Sequence, residues 1–219
     1  MGTRGVQAAA LAGVPIAIQR QGVWAGRRQL FIRFAGPAET ATMYTAEVLA
    51  REVARGLSRS PVHSVCISGR DALGNGPFLE GALEVMALKT PVMVDTDGQR
   101  PEAIAGLHPY VQMVQVSLEA SLTDAVLERA METIRAAARV GSAHAVAIAG
   151  TDEASDADYL RIVEKTHAAS PAARIVMHPG PATERGMMDR RWSVLVEHAM
   201  GLHPDVRVAY RLSGPATIR

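Results

Sequence analysis

The chain has 219 residues, 23 basic and 22 acidic side chains, and a formal net charge of +1. A balance so close to neutrality gives no global electrostatic pull towards nucleic acid or an acidic membrane. Its nine aromatic residues are scattered and form no stacking stripe. With 48% hydrophobic and 21% charged residues, the composition suits a globular protein with one sizeable core, and no apolar run reaches the roughly 18 residues of a spanning helix.

In chain order, residues 1–13 contain one early Arg and a short Ala-rich stretch, too short for a signal peptide, and are expected to be ragged or partly ordered. Apolar runs then alternate with segments of helical period. Leu30–Phe34 reads as a strand, and a helix is predicted from about Ala41 to Leu57 with Val48, Leu49 and Val53 on one face. Val62–Ser68 is the next strand, Phe78–Leu88 a helix, Pro91–Asp95 a third strand and Val111–Ser117 a fourth. A helix from Leu122 to Arg139 is expected to turn Ala125, Val126, Ala130 and Ile134 inward. Ala143–Ala149 is a strand, Asp156–Ala168 a helix, Arg174–Met177 a strand, Asp189–Met200 a helix and Val206–Tyr210 a terminal strand. Six strands, all but one of them followed by a helix, specify an α/β architecture of mostly parallel strands, because parallel neighbours need a crossover. No internal repeat or linker interrupts the pattern, so 1–219 is expected to be one domain.

Ligands of parallel α/β folds lie at the carboxyl ends of the strands. Those ends carry Ser68-Gly69-Arg70-Asp71, Asp95-Thr96-Asp97-Gly98, Ser117-Leu118-Glu119 and His178-Pro179-Gly180. The single cysteine, Cys66, cannot form an internal disulfide, which fits a reducing compartment; it is a buried small hydrophobe or, alternatively, a nucleophile. A cytoplasmic location is therefore expected. The seven histidines show no H-x-x-x-H spacing, and neither a phosphate-binding loop nor a G-x-S-x-G elbow is present.

One stretch is far more specific. Gln19–Thr45 reads QRQGVWAGRRQLFIRFAGPAETATMYT. It resembles the N-terminal signature of the 7-carboxy-7-deazaguanine synthases, members of the radical S-adenosylmethionine superfamily, in which the segment runs QGEGxxxGxxxxFxRFxGCNLxCxxCDT. Gln19, Gly22, Gly26, Phe31, Arg33, Phe34 and Gly36 fall in register. The three cysteines that hold the family's iron–sulfur cluster fall on Pro37, Ala41 and Tyr44, none of which ligates iron as a thiolate does. The family's substrate-site glutamate falls on Gln21, which donates as well as accepts hydrogen bonds, and its magnesium-binding threonine falls on Ala46.

Two weaker matches extend the resemblance. Ser68-Gly69-Arg70-Asp71 stands where the family holds the amino group of S-adenosylmethionine, although Arg70 sets a cation there, and Asp71 capping the next helix is the alternative reading. Asp95-Thr96-Asp97-Gly98 matches a family turn in kind.

The resemblance implies a partial (β/α)6 barrel of the radical-SAM type without an iron–sulfur cluster and with no metal site. It implies a homodimer, and a non-radical ligand-binding or accessory protein with a residual pocket for S-adenosylmethionine or a purine-like nucleoside. The ligand contacts would be Ser68, Gly69, Asp71, Asp95, Ser117 and Gln21, and the old cluster volume would be filled by Pro37, Ala41, Met43 and Tyr44. Two alternatives stay open: a repurposed enzyme using Glu39, Asp71, Asp95 or His178 for polar chemistry, and a structural partner of another protein. Neither nucleic acid nor a membrane is expected as partner.

Overall fold

A computed structural model describes residues 8–151, 153–180 and 190–211. Among the described residues ten strands form a single mixed sheet, in which β1 (Ala8–Gly13), β2 (Ile16–Ile18) and β4 (Thr42–Thr45) join the seven below in the order β10-β9-β8-β7-β6-β5-β3-β1-β4, with β2 paired to β3 off that path. Seven of them, β3 (Arg28–Phe34), β5 (Ser64–Gly69), β6 (Val92–Thr96), β7 (Met113–Glu119), β8 (Ala143–Ala149), β9 (Arg174–His178) and β10 (Val206–Val208), run parallel in sequence order. Between them lie α1 (Ala46–Arg59), α2 (Gly76–Met86), α3 (Ile104–Leu107), α4 (Asp124–Arg139), α5 (Asp156–Ala169) and α6 (Arg190–Leu202). When each right-handed crossover steps one strand further in the same direction, all helices fall on one face of the sheet. The result is an α/β partial barrel of mostly parallel strands: the parallel α/β order is what the alternation of apolar and helical segments predicts, and the partial barrel is what the resemblance implies.

The two faces of the strands differ accordingly. Leu30, Ile32, Val65, Ile67, Val94 and Val114 meet the helices in one aliphatic cluster, and Val116, Val146, Ile148 and Ile175 do so in a second. The alternate positions form the concave face, whose small apolar cluster is Cys66, Met93, Met113 and Ala145, joined by Phe31, Val23 and Trp24. Among the described residues, no helix is long and apolar enough to cross a membrane.

Three strands depart from the expected pattern. Residues 8–13 are not ragged: β1 (Ala8–Gly13) pairs antiparallel with β3, and β2 (Ile16–Ile18) continues along the same edge after a register shift at Gly13. Residues 1–7 lie outside the described residues. Pro15 has no amide hydrogen, yet its carbonyl accepts from Phe31 N at 2.8 Å and keeps the edge zipped through the shift. The predicted helix from Ala41 begins at Ala46 instead, because Thr42–Thr45 forms β4 against β1. The β-branched and aromatic run Thr-Met-Tyr-Thr suits a strand, and Thr45 caps α1 by accepting from Val48 N at 3.3 Å.

Two helix faces are also rotated from their expected setting. In α4 the buried face is Leu127, Ala130, Met131, Ile134 and Ala137, whereas Ala125 and Val126 face solvent. In α1 Leu49 and Val53 are buried and Val48 is exposed.

Candidate functional site

The β2–β3 hairpin carries the Gln19–Arg27 segment of the signature, and this loop folds across the concave face. Its neck is closed by Gln19 N to Arg27 O at 2.8 Å and Gly26 N to Gln19 O at 2.9 Å. Trp24 sits edge-on to His63 at 4.9 Å between ring centres, and with Val23 it covers Cys66, Met93 and Met113. Gly22 lies at φ +75, and a Cβ there would run into the Gln115 amide, so only glycine lets the loop come this close.

A backbone segment buried on a sheet must find partners for its amides and carbonyls. Three concave side chains do this work. Gln115, fully buried on β7, accepts from Val23 N at 3.0 Å. His178, fully buried at the end of β9, accepts from Gly22 N through Nε2 at 2.9 Å. Its Nδ1 faces the Ala209 carbonyl at 2.6 Å, so Nδ1 carries the proton and the ring is neutral. Burial, with Arg211 and Arg207 nearby, outweighs the Ala209 hydrogen bond and holds the imidazole below its ordinary pKa. Arg207 donates to Val23 O at 3.3 Å.

Beside these, a second set of polar side chains bonds chiefly to one another, with the Gln19 oxygen also accepting from Arg20 N at 2.9 Å. Ser117 donates to Asp95 Oδ1 at 2.5 Å and accepts from Gln21 Nε2 at 3.2 Å. The Gln21 Oε1 accepts from Arg211 at 2.7 Å. Burial pushes the Asp95 carboxyl up, opposed by the hydrogen-bonding side chains of Ser117, Gln115 and Gln19. Gln19 is 4% exposed, and its Nε2 has no hydrogen-bond partner of proper geometry although the side chain stands by Asp95. Burial, followed by the neighbouring Asp95 charge, drives the Cys66 thiol well above its ordinary range, which keeps it protonated and a poor nucleophile.

Of the sequence-derived ligand residues, the structure joins Gln21, Asp95 and Ser117 directly. Ser68 ends β5 on the same face, half-buried and in register with Arg33. Gly69, at φ +102, hugs the Phe34 backbone. Asp71 turns elsewhere: it adopts a left-handed conformation, makes no cap bond, and is gripped by Arg100 through Nε at 3.0 Å and Nη2 at 3.1 Å. That ion pair holds its carboxyl below the usual range. Glu39 is likewise engaged, with Arg33 and with Gly36 N.

Gln115 and Arg211 were not singled out by the sequence, and Gln19 only as a frame position of the signature. The signal that could have marked Gln115 is its two-residue spacing from Ser117 in an otherwise apolar strand, which puts both on one face.

The aligned cluster positions do not form a shared filling. Pro37 and Ala41 are exposed in the loop after β3, Met43 is 63% exposed, and Tyr44 packs half-buried against the core from β4. With a pyrrolidine, a methyl group and a phenol as the donor set, these positions do not fit an iron–sulfur cluster. Among the described residues, no three His, Cys, Asp or Glu side chains converge as a metal site. A groove of about 430 Å³ lies on the opposite side, lined by Pro101, Glu102, Arg129, Glu132, Arg135 and Arg139. There Arg129 pairs with Glu102 and Glu132, and Arg135 with Glu128, so it reads as a solvated charged face.

Fold and site together define a mixed α/β protein whose mostly parallel sheet carries a hairpin-covered concave face. No family model matches the chain, and no curated protein matches it. Among solved structures it is similar to N-acetylneuraminate lyase (sialic acid aldolase) from Aliivibrio salmonicida, at 11% identity and a TM-score of 0.42, over 81% of this chain and 52% of that one. The chain thus spans about half the length of that structure.

Proposed function

We infer that the protein is a non-radical, cluster-less relative of the 7-carboxy-7-deazaguanine synthases, a ligand-binding or accessory protein that receives a purine-like molecule at the concave mouth. The observation that carries this reading is the polar set Gln19, Asp95, Ser117 and Gln21. It is held at the strand ends on the face without helices, Asp95, Ser117 and Gln21 bond through their side chains and not to backbone, and the Gln19 amide, whose oxygen accepts from Arg20 N, keeps a buried nitrogen without a hydrogen bond of proper geometry. Buried polar groups left in this state are costly and favour a ligand that completes them. A half-buried carboxyl among amides is suited to the hydrogen-bonding edge of a heterocycle, and no thiolate set supports radical chemistry.

The repurposed-enzyme reading has less support. The Cys66 thiol is buried and protonated, and both His178 nitrogens are bound to backbone.

Isothermal titration of the full chain with guanosine, S-adenosylmethionine and S-adenosylhomocysteine tests the proposal. Saturable binding of a purine nucleoside that is lost in Ser117→Ala is expected. Absence of heat with all three would leave the structural-partner reading as the better one.

A further inference from the structure

The Gln21 side chain occupies the centre of the candidate site, and the orientation of its amide is fixed by its neighbours. Ser117 spends its only hydroxyl proton on Asp95 Oδ1, so towards Gln21 it can only accept, which requires the Gln21 NH2. Arg211 can only donate, which requires the Gln21 oxygen. A carboxamide is the one side-chain group of this size that offers a donor to Ser117 and an acceptor to Arg211 at the same time. The slot between β7 and the segment after β10 therefore has a defined polarity: acceptor on the Ser117–Asp95 side, donor on the Arg211 side. Gln19 Nε2, buried beside Asp95 without a hydrogen bond of proper geometry, is a further donor close to the same place.

The occupant belongs to a loop whose backbone is fixed without it. Gln21 is half-buried, Arg211 is exposed, and the bonds that fix the loop backbone, Gly22 to His178 and Val23 to Gln115, do not pass through the Gln21 side chain. The carboxamide can swing out while the loop stays in place.

We propose that Gln21 is an intramolecular stand-in for the ligand, and that the ligand displacing it carries the same edge: a primary carboxamide or a lactam, donating to Ser117 and accepting from Arg211. This rests on the reading that the concave mouth is the binding site, and adds the chemistry of what enters it. It also assigns Arg211 and Ser117 as the residues that select amide over acid or amine. A carboxylate meets Ser117 without a proton to give and lies near Asp95, whereas an ammonium meets the Arg211 cation.

The test uses three probes with one ring: nicotinamide, nicotinate and 3-(aminomethyl)pyridine. Affinities are measured by titration calorimetry or ligand-observed magnetic resonance on the full-length wild type, Gln21→Ala and Gln21→Ser. Removal of the stand-in is expected to raise nicotinamide affinity about tenfold or more, with no matching gain for the acid or the amine. Addition of Arg211→Ala to Gln21→Ala is expected to abolish the gain. Thermal melting of each variant checks the fold, and Gln21→Ser, which keeps a small polar side chain, carries the test if the alanine variant is misfolded. An equal gain for all three probes, or no gain in either folded variant, overturns the proposal. If wild-type protein binds a purine nucleoside yet neither variant prefers the amide, only this inference falls. If the variants gain nicotinamide while no nucleoside binds, the inference stands and the purine reading falls.

Discussion

The two faces of the sheet are built from the same strands and follow opposite rules. On the helix side Leu30, Ile32, Ile67, Val94 and Ile148 meet amphipathic helices, whose backbone polar groups are satisfied internally, so aliphatic side chains suffice. On the concave side the cover is an irregular loop, whose amides and carbonyls point at the sheet and must be met there. Gln115 and His178 replace aliphatics at strand positions for that reason. What covers a sheet thus dictates the chemistry of its residues, and polar groups left over after that requirement, Asp95, Ser117 and the Gln19 side-chain nitrogen, are the ones free to meet a ligand.

The contrast can be broken most severely from the helix side. Ile134 of α4 is fully buried, and Ile134→Ala is expected to cost about 2–5 kcal/mol in urea unfolding through lost burial and a residual cavity. A loss under about 1 kcal/mol would mean that the helical layer is not the main source of stability.

A smaller effect is expected where the loop meets the sheet. Gly22→Ala forces a side chain into a positive-φ position against Gln115. The cost should be about 1–3 kcal/mol, and it should be local. Trp24 fluorescence, recorded in a Trp192→Phe background, is expected to shift to the red as the loop lifts, while far-ultraviolet dichroism is kept. An unshifted spectrum would show that the loop is not held by this close approach.

The smallest effect, and the sharpest, concerns Asp95. Burial raises its pKa in the folded state, so its contribution to stability is greatest below the unfolded carboxyl pKa of about 3.9 and is lost as pH rises through the folded value. At neutral pH the charge is a burden. Asp95→Asn is expected to stabilise the protein by about 0.5–2 kcal/mol at pH 7, with the gain shrinking towards pH 4, while ligand binding is lost. Stability lower at pH 7 than that of the wild type would mark Asp95 as structural.

Much of the helix-side architecture was legible in the sequence. The run Ala143–Ala149 reads as a strand at sight, and the parallel order follows from the alternation of apolar and helical periods. Less legible were the strands that pair antiparallel at one edge. In β1 the run Ala8–Gly13 is alanine-rich, and Thr42–Thr45 continues without a break into a helical pattern, so pairing between them, not local preference, decides their state. The signature loop was visible as a motif, and Gln21, Asp95 and Ser117 follow from it and from the strand-end rule. Gln19 and Arg211 were not visible as partners in a site, because a glutamine at a strand end and an arginine in a tail acquire meaning only through contacts that span the chain. Asp71 shows the converse: a plausible strand-end acid whose neighbour in space, Arg100, lies 29 residues away and claims it.

The longest of those contacts bears on how the molecule is made. Gln21 and Arg211 are 190 residues apart, and Val23 and Arg207 are 184 apart. During synthesis the helical layer assembles strand by strand as each unit emerges, and the early loop is fastened in stages: Gln115 takes the Val23 amide when β7 is made, His178 takes the Gly22 amide with β9, and Arg207 and Arg211 follow with β10 and the segment after it. A chain arrested after β9 would carry a nearly complete sheet with the loop amides already held by Gln115 and His178, but with the Val23 carbonyl and the Gln21 side chain still waiting for their arginines. The mouth of this protein is closed in stages, and its polarity is completed only when Arg211 arrives.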